Sequence, residues 1–354
     1  MEKTAGLLTI HGHAMSIPLI QGGMGVGVSL ERLAGAVAKE GGMGCISTAD
    51  CGYQEADFYF HPEEANLRAL KEEIQKARAL SEGKGLLSVN AMVASRQYDD
   101  AVRTAVEAGV DAVISGAGLP LNLPALVPEG AALLLPIVSN GRAVRLICKA
   151  WEQRYRRYPD AVVIEGYQAG GHLGFSEKDL LAGTCQELPD ILSEVKKELL
   201  PYEEAAGRQI PAFCAGGIWD QEDVRNILSA GADGVQMATR FIGTQECDAS
   251  DAYKEMLCRA KKEDLQIIHS PVGMPGRAVS SPFLSRLKEG RVAPKHCSHC
   301  IKTCDPAEVQ YCITHALIEA VKGNTEEGLF FAGANVGRLQ EISTVAEIIG
   351  SLGF

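Results

Sequence analysis

Two short apolar runs, each ending in small residues and separated by one amphipathic segment, constrain this chain more than any other stretch. They are residues 210–218 (IPAFCAGGI) and 231–241 (GADGVQMATRF). Between them, residues 220–230 open on acidic side chains and carry apolar ones at helical spacing, so the whole reads strand, glycine turn, helix, glycine, strand. That is a parallel βαβ unit. Gly216 and Gly217 let the backbone approach a ligand closely, and the helix that follows turns its free N–H groups toward an anion. Ala238 and Thr239 close the second strand with further N–H groups and a hydroxyl. A lone pair of glycines is as often only a tight turn. Two adjacent strands ending this way, late in a βα series, have the form of the phosphate site after strands seven and eight of a TIM barrel.

The rest of the chain supplies the strands this placement requires. Apolar runs at 17–21, 44–47, 86–90, 111–116, 133–139 and 161–165 predict strands one to six, most ending in Gly, Ser or Asn. Helices are expected after Ser29 as an N-cap, and at 98–108 and 142–154. Two long connections are expected as insertions after strands two and six. One is 48–85, with a charged surface helix at 62–79; the other is 176–208, with a helix at 188–199. Residues 246–262 should form the eighth barrel helix. The fold expected for 1–262 is therefore an α/β TIM (β/α)8 barrel, preferred over a doubly wound sheet because eight parallel strands ending in small residues favour closure. Residues 263–354 are expected as an extension packed on the barrel. It would comprise a loop at 267–283 across the barrel mouth, a helix from Pro306 to Lys322 with Asp305 as cap, and a last helix at 338–351.

A chain of 354 residues is long enough for such a barrel, and its net charge of −11 argues against a nucleic-acid partner. No apolar run is long enough to span a bilayer, and the first ten residues lack a signal-peptide layout. A cytoplasmic protein with no membrane partner is expected.

His172 lies in GGHLG at 170–174, directly after strand six. Glycines on both sides allow a tight fold that pushes the imidazole into the barrel mouth, the face where TIM-barrel chemistry occurs, so it is the acid–base candidate. At this point five segments, IPLIQGGMG, LLSVN, EGYQAGGHLGF, PAFCAGGI and GADGVQMATRF, resemble in order and spacing the nitronate monooxygenase family. That family, formerly called 2-nitropropane dioxygenases, also includes the flavin-dependent enoyl-ACP reductases. The resemblance covers 17–246. It implies non-covalent FMN: Gly22, Gly23 and Met24 against the flavin ring, Asn90 holding it from strand three, and Gly171 lining the site. Gly216, Gly217, Ala238 and Thr239 would take the phosphate, with Gln236 beside them, and His172 would be catalytic. The activity implied is oxidation of nitronates or nitroalkanes to a carbonyl compound and nitrite. The alternative is NAD(P)H-dependent reduction of an activated C=C bond through FMN, and only then with acyl carrier protein as partner. A small-molecule substrate is expected either way, and a homodimer is left open. A third reading, an FMN-binding barrel without catalysis, has no need for an imidazole at the mouth. Three positions depart from the family pattern: Gln168, where relatives often carry Glu; Ala238, where Gly is usual before Thr; and the segment KEGGMGCIS at 39–47.

The chain holds eleven cysteines. Seven are scattered singly and are expected as reduced core residues. The other four, Cys297, Cys300, Cys304 and Cys312, are spaced C-x2-C-x3-C-x7-C, with His296 and His299 nearby. Four thiolates so close in sequence could hold zinc or an iron–sulfur cluster, although the spacing is standard for neither; the other reading is a thiol-rich turn capping the barrel.

Overall fold

In the computed structural model, which describes residues 7–354, eight parallel strands close into a barrel in chain order. They are β1 (Leu19–Gln21), β2 (Met43–Ser47), β3 (Leu86–Met92), β4 (Ala112–Gly116), β5 (Leu133–Val138), β6 (Val162–Glu165), β7 (Ala212–Ala215) and β8 (Gly234–Met237). Closure comes from β8 pairing with β1, Val235 opposite Leu19. A closed parallel sheet hides both faces of every strand, which is why these segments read as continuous apolar runs. Side chains such as Ile20, Met43, Ile114, Val163 and Phe213 fill the barrel interior, while Leu19, Ile46, Val89 and Val113 pack outward beneath the helices.

The helical layer departs from expectation where a distant residue takes over a local role. The first helix is Glu31–Lys39, but Ser29 does not cap it: its hydroxyl accepts from the Met24 N–H at 2.8 Å. The Asp248 carboxylate, from beyond the last barrel strand, accepts from the N–H groups of Leu30, Arg32 and Leu33 instead. A carboxylate at a helix N-terminus also meets the favourable end of the helix dipole. The charged segment expected on the surface, Pro62–Leu80, buries Ala65, Leu70, Ile74 and Ala77 and packs on the first helix as the second helix of the barrel. Leu188–Ala206 continues past its expected end, carrying Pro201 inside it, and the eighth barrel helix shrinks to Asp251–Arg259.

In the extension, the loop expected at 267–283 is an antiparallel hairpin of β9 (Leu265–His269) and β10 (Pro275–Val279). It does lie over the barrel mouth. β10 pairs with the two-residue strand Gly171–His172 on one side and with β11 (Phe330–Phe331) further along. The helix expected from Asp305 forms only at Ile313–Val321, with Cys312 as its cap. Asp305 serves a single turn, accepting from the Ala307 N–H, and Tyr311 then buries its ring edge-on to Phe283. The final helix is Val345–Gly350, because the reciprocal capping pair Thr344 and Glu347 starts it there. The first six residues, part of the segment read for a signal peptide, lie outside the described residues. No helix among the described residues is long and apolar enough to cross a membrane.

Candidate active site

A cavity of about 480 Å³ opens at the carboxyl ends of the barrel strands. The βα loops form its floor and walls; the turn of the β9–β10 hairpin and the segment Gly333–Asn335 form its roof. Every residue expected at the flavin site lines it: Gly22, Gly23 and Met24 after β1, Asn90 on β3, Gly171 and His172 after β6, and Gly216, Gly217, Gln236, Ala238 and Thr239 at the ends of β7 and β8.

The β7–β8 end is a backbone cradle. Gly216 and Gly217 have φ of 95° and 81°, the left-handed region that glycine reaches without strain. A Cβ on Gly216 would stand 2.9 Å from the Ala169 nitrogen and the Gly166 carbonyl oxygen; one on Gly217 would strike the Gln168 side chain. Glycine is therefore required twice, by conformation and by space. The helix Gln221–Ser229 that follows does not turn free N–H groups toward an anion as expected, because the Asp220 and Asp223 carboxylates of a full capping box take the N–H groups of Trp219, Asp220, Glu222 and Asp223. Among the described residues no lysine lines the cavity, and Arg240 spends its guanidinium on the Trp219 carbonyl and the Ser351 hydroxyl. An anion here would rest on main-chain N–H groups. The extension completes the cradle: Thr239 Oγ1 accepts from the Gly333 N–H at 2.9 Å, and Asn335 Nδ2 donates to the Gly217 carbonyl at 2.8 Å.

The β1–β3 end offers room for a flat ring. A Cβ on Gly23 would collide with Asn90, and one on Gly22 would sit 3.3 Å from the Ala238 Cβ. Gln236 Oε1 is buried with no hydrogen-bond partner among the described residues. An orphaned buried acceptor costs on the order of 1–3 kcal/mol, so a cavity-wall oxygen left bare fits a ligand that brings its own donor. Glycine cradle, orphaned amide oxygen and main-chain anion site together fit a flavin mononucleotide.

His172 stands at the third corner. Its Nε2 lies 2.7 Å from Ser270 Oγ in the hairpin turn, and its ring meets Phe331 edge-on at 5.2 Å. Burial without a compensating charge pulls its pKa down to about 4, so the imidazole is neutral at physiological pH. Two further residues that the sequence reading missed shape this corner. Arg277 on β10 donates to the carbonyls of Tyr167 (2.6 Å) and Ala169 (2.7 Å), fixing the loop that leads to His172. Glu165, at the end of β6, has its carboxyl pushed up to about 7 by burial, against the pull of the Gly174 N–H and Arg277. Glu165 was legible as a polar residue closing a barrel strand; Ser270 and Arg277 carry no such mark, because pairing across the mouth alone brings them in.

Of the four clustered cysteines, Cys300 reaches the large cavity. All four line a second, small one of about 20 Å³ beside it. Among the described residues no three His, Cys, Asp or Glu side chains converge on a point that could hold one metal ion. All eleven cysteines are free thiols, and Cys45, Cys51, Cys148, Cys214 and Cys247 are buried in the core.

Comparison with known proteins places this architecture. A family model described as nitronate monooxygenase matches residues 8–353. A (3aS,4S,5R,7aS)-5-hydroxy-7a-methyl-1-oxo-octahydro-1H-indene-4-carboxyl-CoA dehydrogenase of Mycobacterium tuberculosis is 27% identical over 273 residues, covering 77% of this chain and 66% of the relative. A probable nitronate monooxygenase of Staphylococcus saprophyticus is 26% identical over 318 residues, covering 81% of each. FabK from Thermotoga maritima superposes with a TM-score of 0.72 at 26% identity, covering 96% of this chain and 92% of that one. A nitroalkane oxidase of Streptomyces ansochromogenes shares the fold, with a TM-score of 0.70 at 21% identity and 96% of each chain covered. With the family match spanning the barrel and its roof alike, the chain belongs to the nitronate monooxygenase family and is a flavin-dependent oxidoreductase.

Proposed function

We propose that this protein binds FMN and oxidises nitronates, or the nitroalkanes they derive from, to a carbonyl compound and nitrite. The observation that carries the reading is His172: a neutral imidazole, enclosed, with one ring nitrogen held by Ser270. A nitronate is already deprotonated and asks for a hydrogen-bond donor rather than a strong base, which suits such an imidazole. When bound, FMN supplies the redox chemistry, accepting electrons from the substrate and passing them to oxygen. The residues of this chain do the rest. Gly216, Gly217, Ala238 and Thr239 hold the phosphate, and Gly22, Gly23, Met24 and Asn90 face the ring. His172 orients the nitro oxygens, and Val272, Met274 and Phe331 keep water from the reacting face. With a neutral nitroalkane, His172 would also take the α-proton, at a disadvantage set by its low pKa.

Two observations favour a second reading, reduction of an activated C=C bond by NAD(P)H. The cavity roof is apolar enough for an acyl chain, and the likeness to FabK extends over nearly the whole chain. That reaction needs a proton donor. His172 is poorly suited, whereas Glu165, with a pKa near 7, is part-protonated at neutrality and would serve. An acyl carrier protein would be a partner only in this case. Anaerobic mixing of the yellow holoprotein with a nitronate, NADH or NADPH decides between them through the flavin absorbance. Bleaching by the nitronate alone is the expected outcome; bleaching by a nicotinamide alone would replace the first reading with the second.

A further inference from the structure

We propose that Cys297, Cys300, Cys304 and Cys312 are the four ligands of an iron–sulfur cluster held against the wall of the flavin cavity. All four thiols line one small cavity, and Cys300, Ile301 and Ile313 belong to both that cavity and the large one. The cysteine segment is stitched to the loop after β3, the strand that carries Asn90. The Arg96 N–H donates to the Cys300 carbonyl at 2.9 Å, the Lys302 N–H to Ala94 at 3.0 Å, and Ser95 bridges to Ile301. The four thiols thus have a fixed address beside the site.

Two of the sulfurs already meet main-chain donors: the His299 N–H at Cys297 Sγ (3.4 Å) and the His315 N–H at Cys312 Sγ (3.5 Å), the latter from the first turn of Ile313–Val321. Hydrogen bonds to sulfur are among the features that tune iron–sulfur centres. His299 sits at φ 53°, a left-handed conformation uncommon for a residue with a Cβ, and it folds Cys297 and Cys300 into one tight turn. The Ser298 hydroxyl, which lines the same cavity, is buried without a partner among the described residues. In a chain of net charge −11, the cavity-lining Arg96 is the cation beside these sulfurs, with the Asp50 and Asp305 carboxylates also near.

A cluster fits better than a single ion. Zinc requires its ligands to converge on one point about 2.3 Å from each sulfur, and no three side chains here do so. An iron–sulfur cluster spreads its four thiolates over two or four irons, so its ligands stand around a body instead of meeting at a centre. The existing cavity is smaller than such a body. Its outer wall, Cys304, Pro306 and Val309, lies in an exposed, turn-rich stretch that would have to move outward to admit one. The four thiols would release their protons on binding.

The test is metal analysis of the holoprotein purified without oxygen and reconstituted with ferric iron, sulfide and excess dithiothreitol, the thiol reducing that part of the iron which the cluster holds as ferrous. Iron and acid-labile sulfide in equal amounts are expected, together with a low-temperature paramagnetic signal after dithionite reduction. Cys297→Ser, at an exposed position, and Cys304→Ser should each lose iron and sulfide while keeping flavin; Cys185→Ser should keep iron, sulfide and flavin. Absence of iron and sulfide after reconstitution, zinc without sulfide, or iron retained in both cluster variants would each overturn the proposal. Flavin content, read in the same samples, is independent of the outcome.

Discussion

The cradle at the ends of β7 and β8 and the roof that holds His172 serve one cavity but are built in opposite ways. The cradle is made of main chain. Its key residues lie within 24 positions of each other, from Gly216 to Thr239, and its geometry follows from two left-handed glycines and a capped helix, with Gly333 and Asn335 of the extension only bracing it. The roof is made of side chains that reach across the chain: Ser270 meets His172 over 98 positions, and Arg277 meets Tyr167 over 110. A site built from local backbone fails when its conformation is violated. A site built from distant side chains fails one contact at a time. The consequences of mutation should therefore differ in kind, with loss of cofactor on one side and graded loss of turnover on the other.

The largest effect should come from Gly217→Asp. A side chain there demands φ near 81° and the space of Gln168, and it places a carboxylate where the phosphate would lie. Repulsion and strain of about 3 kcal/mol or more correspond to a hundredfold or greater loss of flavin affinity. The variant should purify folded by circular dichroism but without yellow colour; full flavin occupancy would mean that the anion site lies elsewhere.

Next in size is His172→Ala, which should keep its flavin and lose about a hundred- to ten-thousandfold in turnover, the range of positioned acid–base groups. The defect should be larger with a neutral nitroalkane than with its nitronate. Ser270→Ala removes one hydrogen bond to the imidazole and should cost about tenfold, matching a single bond of ~1–1.5 kcal/mol. If both variants retained full turnover, the roof would be a lid and nothing more.

The smallest effects are those of pH. His172 has a folded pKa below its unfolded value, so its contribution to stability is present above pH 6.5 and is lost as pH falls toward about 4. Glu165 has the opposite sign: its folded pKa lies above the ordinary 4.5, so stability is full below that value and declines as pH rises through about 7. Glu165→Gln should therefore raise the melting temperature by about 2–4 °C at pH 8 and leave it unchanged at pH 4. An equal shift at both pH values would show that Glu165 is charged throughout.

The sequence by itself determined the barrel, its strand order and the cradle. Each barrel strand is a short apolar run buried on both faces, and Gly216 and Gly217 answer a local need of the backbone, so both leave marks in consecutive residues. His172 was legible for the same reason, set between glycines directly after a strand. Only the tertiary structure decided what caps the first helix, where Asp248 displaces Ser29, and that Pro62–Leu80 belongs to the barrel wall despite its charge. It alone made a hairpin of residues 267–283, because β10 finds partners in Gly171–His172 and β11 that lie far away in the chain. It also brought Ser270 and Arg277 to the corner that holds His172 and Cys300 to the cavity wall. Hydrogen bonds and burial across a hundred residues depend on which surfaces meet, and periodicity within a segment carries no record of that.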